Sequence, residues 1–104
     1  MDIYFKNKKN EKTCTKFEFA AKIHGVRCSK LIFQRVSELQ SAKNLLEIDK
    51  LRSPRLHWLS GNRKHQCAVD LVHPKRLIFE PQENTSKEFI EINIIEIQEI
   101  TDYH

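Results

Sequence analysis

The sequence predicts an α+β fold in which a short N-terminal strand and a helical hairpin pack on a mostly antiparallel β-sheet. Two changes of pattern along the chain support this prediction. In the first half, apolar residues recur at three- and four-residue spacing, which is typical of amphipathic helices. From Ser53 and Pro54 onward the apolar period shortens towards two, and prolines separate short runs, as expected for strands.

The N-terminal half contains a strand signal from Ile3 to Phe5 and two helical patterns. The first helix is expected from Lys8 to His24 and ends at Gly25, which adopts left-handed backbone at low cost. The second helix is expected to bury one face, made of Cys28, Leu31, Ile32, Val36 and Leu39. The outer face of the hairpin is expected to carry Lys22, Arg27, Lys30, Arg35 and Lys43, either as solvated charges or as ligand contacts.

The C-terminal half predicts strands over 55–60, 66–72 and 75–80, joined as a meander of two hairpins. A basic turn at 61–64 and a tight connection at 73–74 link them. A last strand begins at Ile90, but its alternation slips between Ile94 and Ile95. The slip predicts either burial on both faces or a β-bulge, and a bulge would re-aim the residues that follow.

Composition limits the class of protein. A chain of 104 residues is expected to form one domain, 1–104. No apolar run approaches the roughly 20 residues that cross a bilayer, and the N-terminus lacks the apolar core of a signal peptide, so a cytoplasmic protein is expected. The three cysteines are widely spaced and odd in number, which favours reduced, packed thiols over a disulfide framework.

The charge is divided unevenly along the chain. Residues 1–79 hold 17 lysines and arginines against 7 acids, a balance of +10, whereas residues 80–104 have a balance of −6. A basic body suits a protein that meets phosphate backbones, although a solvated lysine-rich surface gives the same count.

The polar residues of the second half suit phosphate chemistry on RNA. Cleavage of a phosphodiester by its own 2′-hydroxyl needs a base, cations at the phosphate and an acid for the leaving oxygen. The sequence offers imidazole, guanidinium, phenol and carboxylate groups as catalytic candidates at His57, Arg76, Asp102, Tyr103 and His104.

Each candidate also has a structural interpretation. His57 is equally a half-buried sheet residue, and His73, which precedes a proline, is most simply a turn residue. The strand parity of Arg76 places it beside Ile78, where an acid such as Glu96 would satisfy it. The Asp-Tyr-His terminus without other context is a frayed tail.

Other chemistries have little support. His24 and Cys28 are four residues apart, but Gly25 is expected to break the helix between them, so no metal site is predicted. Two glycines do not make a phosphate-binding loop, and no nucleophile-elbow motif is present. No cofactor is predicted.

The amino-acid sequence of the second half resembles the sequences of a known family. The segments 57–64 (HWLSGNRK), 69–71 (VDL), 73–81 (HPKRLIFEP) and 102–104 (DYH) are similar to those of the HigB branch of the RelE/ParE toxin superfamily, the plasmid maintenance killer proteins of type II toxin–antitoxin systems. The resemblance spans the chain and implies a RelE/ParE-like fold. It also implies a ribosome-dependent mRNA endonuclease that cuts the codon in the A site of the small subunit without a metal, and a helix-turn-helix, HigA-like antitoxin as partner.

The resemblance also implies roles for individual residues. His57 matches the histidine of the family's His-x-Leu-Lys-Gly-like motif, and Arg76 matches the strand arginine that binds the scissile phosphate. Tyr103 and His104 match the terminal catalytic pair, which Asp102 would support. The RNA-binding candidates are the basic residues Arg63, Lys64, His73 and Lys75.

One position departs from the family pattern, because Ser60 stands where the motif has lysine before the glycine. A lysine there can stabilise charge in the transition state, so its absence implies weaker cleavage, compensation by Lys64 or Lys75, or lost activity. A ParE-like toxin that poisons DNA gyrase on the same fold, and a catalytically weak module that binds antitoxin or ribosome, are the two alternatives.

Overall fold

The computed structural model describes residues 1–83 and 86–102. Within them the chain is an α+β protein with four helices and a five-stranded mixed sheet. The elements in chain order are β1 (Asp2–Phe5), α1 (Lys8–Thr15), α2 (Phe17–His24), α3 (Val26–Ser41), α4 (Leu45–Asp49), β2 (His57–Trp58), β3 (Cys67–Asp70), β4 (Lys75–Pro81) and β5 (Ile94–Asp102). The predicted fold class and the order of a strand, helices and then a sheet are therefore confirmed.

The sheet has the strand order β1-β5-β4-β3-β2. β2, β3, β4 and β5 form an antiparallel meander, and β1 joins the edge by pairing parallel to β5. The connection at 73–74 is tight, as predicted, and hydrogen bonds from Lys75 N to Val72 O (2.8 Å) and from Leu71 N to Lys75 O (3.0 Å) close it.

The sheet is covered by helices on one side only. Cys67, Val69 and Leu71 of the β3 region share the main core with the helices, while Ala68 belongs to a small second cluster with Leu59 and Ile78. The predicted alternation of β3 is thus confirmed. We call the side that bears Ala68 and Ile78 the open face because no described helix covers it, although these two side chains are themselves buried against Leu59.

The predicted first helix is wrong in one respect, because it is two helices that meet at an extended Lys16. Cys14 and Ala20 are both buried, yet residues six apart lie about 120° apart around a continuous helix, too far to share a narrow buried stripe. The hydroxyl groups of Thr13 and Thr15 donate to carbonyls four residues earlier, at 2.8 and 2.6 Å, which weakens helical continuity there.

The second helical pattern is confirmed by α3, whose residues Cys28, Ile32, Val36 and Leu39 are buried. The prediction that Arg35 lies on the outer face is wrong, since Arg35 is only 3% exposed. Its position three residues after Ile32 places it within the buried stripe.

Three of the predicted strands are shorter than expected, whereas β4 covers all of 75–80 and extends to Pro81. Only His57–Trp58 of 55–60 pairs as a strand, and the last strand starts at Ile94 rather than Ile90, since Phe89–Glu91 forms a 3₁₀ turn that leaves Ile90 exposed. α4 was not predicted, although Asn44 caps it with a side-chain oxygen that accepts from Leu46 N (3.0 Å).

A β-bulge is present in β5, but not at the slip between Ile94 and Ile95 from which one was predicted, because pairing is regular from Ile95 to Ile97. It lies at Gln98, because Ile97 pairs with Phe79 while Glu99 pairs with Ile78. Asn10 of α1 donates to the Gln98 carbonyl (2.8 Å), which satisfies an acceptor at the bulge. Beyond the bulge, the side-chain faces are reversed, so Thr101 lies on the open face and Ile100 packs against the main core.

Candidate functional site

A cluster of opposite charges lies on the open face, where β3 and β4 meet. Asp70 pairs directly with Arg76 across the two strands, and Arg76 Nε is 3.5 Å from Asp70 Oδ1. Arg55 holds the same carboxylate with two hydrogen bonds, at 2.6 Å from Nε and 3.0 Å from Nη2. The carboxylate is thus shared by two guanidinium groups, and the acid near Arg76 is Asp70 rather than the predicted Glu96.

Arg55 also positions His57. Its backbone carbonyl lies 2.8 Å from His57 Nδ1, and because a carbonyl only accepts, Nδ1 must carry the hydrogen. A neutral His57 ring therefore keeps its lone pair on Nε2. Arg55 has a φ of +49°, a left-handed backbone that few side chains favour, and it is held there by bonds from Arg55 N to Arg52 O and from Asp70 N to Pro54 O.

A pocket of about 290 Å³ adjoins this cluster at the β3–β4 turn. Four of its lining residues carry or can carry positive charge, and Asp70 supplies the acid. We call it the basic pocket, and its charged lining consists of Arg55, Asp70, His73, Lys75 and Arg76. With the guanidinium groups of Arg55 and Arg76 against one carboxylate, it suits an anion such as a phosphate group.

The buried Arg35 supports the site from the helical side. Its Nε donates to the backbone carbonyl of Asp70 (2.8 Å), and its Nη2 donates to the carbonyl and hydroxyl of Ser53 at 3.1 Å each. Nη1 donates to Glu38 (3.0 Å). Arg35 therefore fixes both the strand that carries Asp70 and the loop that leads to Arg55.

Lys75 and Asp102 lie at the other side of the sheet. They pair with each other in register, and Lys75 has the strand parity of the core residue Leu77. Lys75 Nζ donates to His24 Nδ1 at the end of α2 (2.9 Å). The structure therefore brings Asp102 towards His24 and Lys75, while His57 and Arg76 face the opposite side of the sheet.

The basic turn is tied to the open face. Arg63 Nη2 donates to Glu99 (3.1 Å), which pairs across from Ile78, and Arg63 Nη1 donates to Gln66 (3.2 Å). Lys64 is exposed, and its backbone carbonyl accepts from Lys87 Nζ (2.8 Å). Lys87 Nζ also lies 4.2 Å from the centre of the Trp58 ring, so the segment after residue 85 contacts the turn.

The structure thus groups His57 and Arg76 on one face and places His73 and Lys75 at the edge of the basic pocket. Tyr103 and His104 lie outside the described residues. The sequence did not indicate Arg55 and Asp70 as site residues. A usable signal existed for both, because residues two apart lie on the same face of a strand. This rule groups Arg55 with His57, and Asp70 with Ala68.

The cysteines pack as free thiols. Burial raises the pKa of Cys14 to about 12 and that of Cys67 to about 12. Both thiols therefore stay protonated at neutral pH, which is the unreactive form.

Among residues 1–83 and 86–102, no three His, Cys, Asp or Glu side chains are grouped closely enough to hold a metal ion. In the same part of the chain, no helix has the length and apolar character needed to span a membrane. Comparison of the sequence with known protein families and with curated proteins found no match.

His24 makes stability depend on pH. Burial lowers its pKa, the positive charges of Lys75 and Lys9 lower it further, and Asp102 acts in the opposite direction. Because an unfolded histidine protonates near pH 6.5 while the folded one stays neutral to a lower pH, this contribution is complete above about pH 6.5 and is lost as the pH falls towards the folded pKa.

We expect His24→Gln to remove this part of the pH dependence, because glutamine can accept from Lys75 but does not titrate. The measurement is urea denaturation of both proteins at about pH 7.5 and about pH 5.5, a window above the titration of most carboxylates. The wild-type midpoint should fall more than that of the variant. Equal changes in the two proteins would contradict the assignment, since the remaining histidines are common to both.

Proposed function

We propose that this protein is a HigB-like toxin with a RelE/ParE-like fold, acting in the cytoplasm as a ribosome-dependent mRNA endonuclease. The observation that carries the proposal is the open-face cluster, in which Arg76 lines a basic pocket of phosphate-binding character and His57, oriented by the Arg55 carbonyl, lies on the same face of the sheet. The resemblance of segments 57–64, 73–81 and 102–104 to that family supports it independently of the geometry.

In the proposed reaction, the 2′-hydroxyl oxygen of the A-site nucleotide attacks its own 3′-phosphate. His57 Nε2 accepts the hydroxyl proton, and the new O–P bond forms as the bond to the 5′-oxygen breaks. The Arg76 guanidinium neutralises the charge that develops on the non-bridging oxygens. An acid protonates the leaving oxygen, a role assigned by resemblance to the Tyr103 and His104 pair. The products are a 2′,3′-cyclic phosphate and a 5′-hydroxyl, and no metal or cofactor takes part.

The proposed partners follow from this activity. The small ribosomal subunit presents the mRNA strand, and a helix-turn-helix, HigA-like antitoxin inhibits the toxin. The basic balance of residues 1–79 suits contact with ribosomal RNA, because association with a polyanion is favoured by positive surface charge.

The proposal is tested by adding the purified protein to ribosomes stalled on a defined mRNA with an open A site, and mapping the 5′ ends. We expect cuts within the A-site codon, and none in a control without ribosomes. If folded protein gives no cuts, the function is instead that of a gyrase poison or of a module that binds without cleavage. A supercoiling assay separates these two, and His104→Ala should leave a gyrase poison toxic.

Replacement of Ser60 tests whether the absence of a lysine at this position limits cleavage. Ser60 is exposed, and its backbone carbonyl accepts the turn's hydrogen bond from Arg63 N (3.2 Å), so a new side chain should be tolerated. We expect Ser60→Lys to raise the ribosome-dependent cleavage rate about 10-fold, less than the roughly 100-fold or more that a preorganised donor supplies, because a new side chain at this exposed position is not held in place. Ser60→Gln adds length without charge and is the control. A rate that is unchanged or lower in Ser60→Lys would show that this cation does not limit the reaction.

A further inference from the structure

A second pocket lies beside the site, between α3 and the β3–β4 turn. Its volume is about 380 Å³, within the range of small-ligand sites. The apolar side chains that line it, Leu31, Leu71 and Val72, are buried or half-buried, whereas the polar ones are exposed. The polar lining consists of Arg27, Lys30, Gln34 and His73. We call this pocket the α3 groove.

The α3 groove adjoins the basic pocket. Leu71 and His73 line both cavities, so His73 stands where the two meet. A ligand with a phosphate near Arg76 would therefore reach the groove by passing His73. Along this path it would meet further positive charge at Arg27 and Lys30, which project from one side of α3 three residues apart.

This lining matches a nucleotide in a single strand. The flat face of a base packs on apolar side chains, its edge can bond an amide such as Gln34, and its phosphate suits Arg27 and Lys30. We propose that the α3 groove binds the nucleotide next to the phosphate held in the basic pocket, so that the two cavities grip consecutive nucleotides of a single-stranded RNA. The identification of the ligand as RNA rests on the proposed function.

Charge complementarity and the adjacency of the two cavities favour RNA over a peptide. An acidic peptide would also satisfy the basic rim of the groove, but it would not account for a second cationic cavity directly beside it, with His73 in both linings. A strand with a phosphate at every nucleotide uses both cavities.

The test measures binding of fluorescently labelled RNA to the full chain, with 2′-O-methyl groups to prevent cleavage. The probes are a trinucleotide, the same trinucleotide with one abasic neighbour, and a mononucleotide. We expect Arg27→Ala/Lys30→Ala to weaken trinucleotide binding about 10-fold, the order of one lost stacking or charge contact, and to change mononucleotide binding less than about 2-fold. Removal of the neighbouring base should weaken binding to the wild type more than to the double variant.

Lys30→Ala has a matched control in Lys43→Ala. Both lysines are exposed and each change removes one charge, but Lys43 lies about 20 Å further along the direction of α3. Of these two variants, we expect only Lys30→Ala to weaken binding of the trinucleotide. Equal losses in the two variants, or no loss in the double variant, would overturn the proposal. Loss of binding to an acidic peptide, with RNA binding unchanged, would overturn it in favour of a protein ligand.

Failure of the groove and failure of the proposed function give different results. If the wild type cleaves mRNA on ribosomes while Arg27→Ala/Lys30→Ala binds the trinucleotide normally, the groove assignment alone is wrong. If the wild type does not cleave but its RNA binding depends on Arg27 and Lys30, the groove binds RNA and the proposed cleavage is wrong.

Discussion

Arg76→Ala is expected to reduce ribosome-dependent cleavage by about 100-fold or more, the order seen when a charge-stabilising donor is removed from a transition state. The fold should survive, because Asp70 keeps its two hydrogen bonds to Arg55 when Arg76 is lost. The Arg76 side chain is 22% exposed and its ion pair is long, at 3.5 Å. We therefore expect a change in the free energy of unfolding of only about 1 kcal/mol or less.

The measurement is the rate of A-site cleavage at saturating ribosomes, with urea denaturation of the same samples. Arg76→Lys keeps the charge but loses the planar fork, so its rate should fall between those of the wild type and Arg76→Ala. Arg52→Ala removes an exposed arginine outside the lining of the basic pocket and is the control. Wild-type cleavage by Arg76→Ala would remove the assigned role of this residue and the main physical support for the proposed reaction.

Arg35→Ala should have the largest effect on stability. The guanidinium is buried and donates four hydrogen bonds, to Asp70, Glu38 and twice to Ser53. Its removal leaves two backbone carbonyls and a carboxylate without this donor. Breaking a buried pair from one side costs about 3–5 kcal/mol, a large share of the roughly 5–15 kcal/mol that holds a domain folded.

Urea denaturation measures this loss, and Arg27→Ala on the same helix is the control. Arg27 is exposed, so its change should alter the free energy of unfolding by about 0.5 kcal/mol or less. Arg35→Lys should be intermediate, since lysine keeps the charge but makes fewer of these bonds. A loss below about 1 kcal/mol for Arg35→Ala would mean that water replaces the guanidinium and that the position is less closed than its burial indicates.

Much of the fold could be predicted because it depends on local periodicity. The apolar stripe from Cys28 to Leu39 predicts α3, and the period-two pattern of 67–71 predicts which residues of β3 share a face. The same parity argument correctly separates Arg76 from the core residue Leu77. Each of these inferences uses only neighbours within a few positions along the chain.

Other features could not be predicted because they depend on distant contacts. Lys16 breaks the first helix so that Cys14 and Ala20 can both reach the core, which no local rule requires. From its residue type alone, Arg35 is expected to be exposed. Its burial becomes favourable because the carbonyls of Ser53 and Asp70 accept its hydrogen bonds. Arg55 becomes part of the site only because the loop before β2 returns to Asp70.

The sequence by itself determined that this chain is an α+β protein, that 17 of its 18 lysines and arginines lie in the first 79 positions, and that His57 and Arg76 occur in a strand-rich half. Only the tertiary structure decided which polar residues meet. The physical reason is that a strand residue takes its face from its register with the neighbouring strand, and one inserted residue reverses that face. The bulge at Gln98 thereby turns Thr101 towards Arg76 and leaves Asp102 opposite Lys75, on the side of His24.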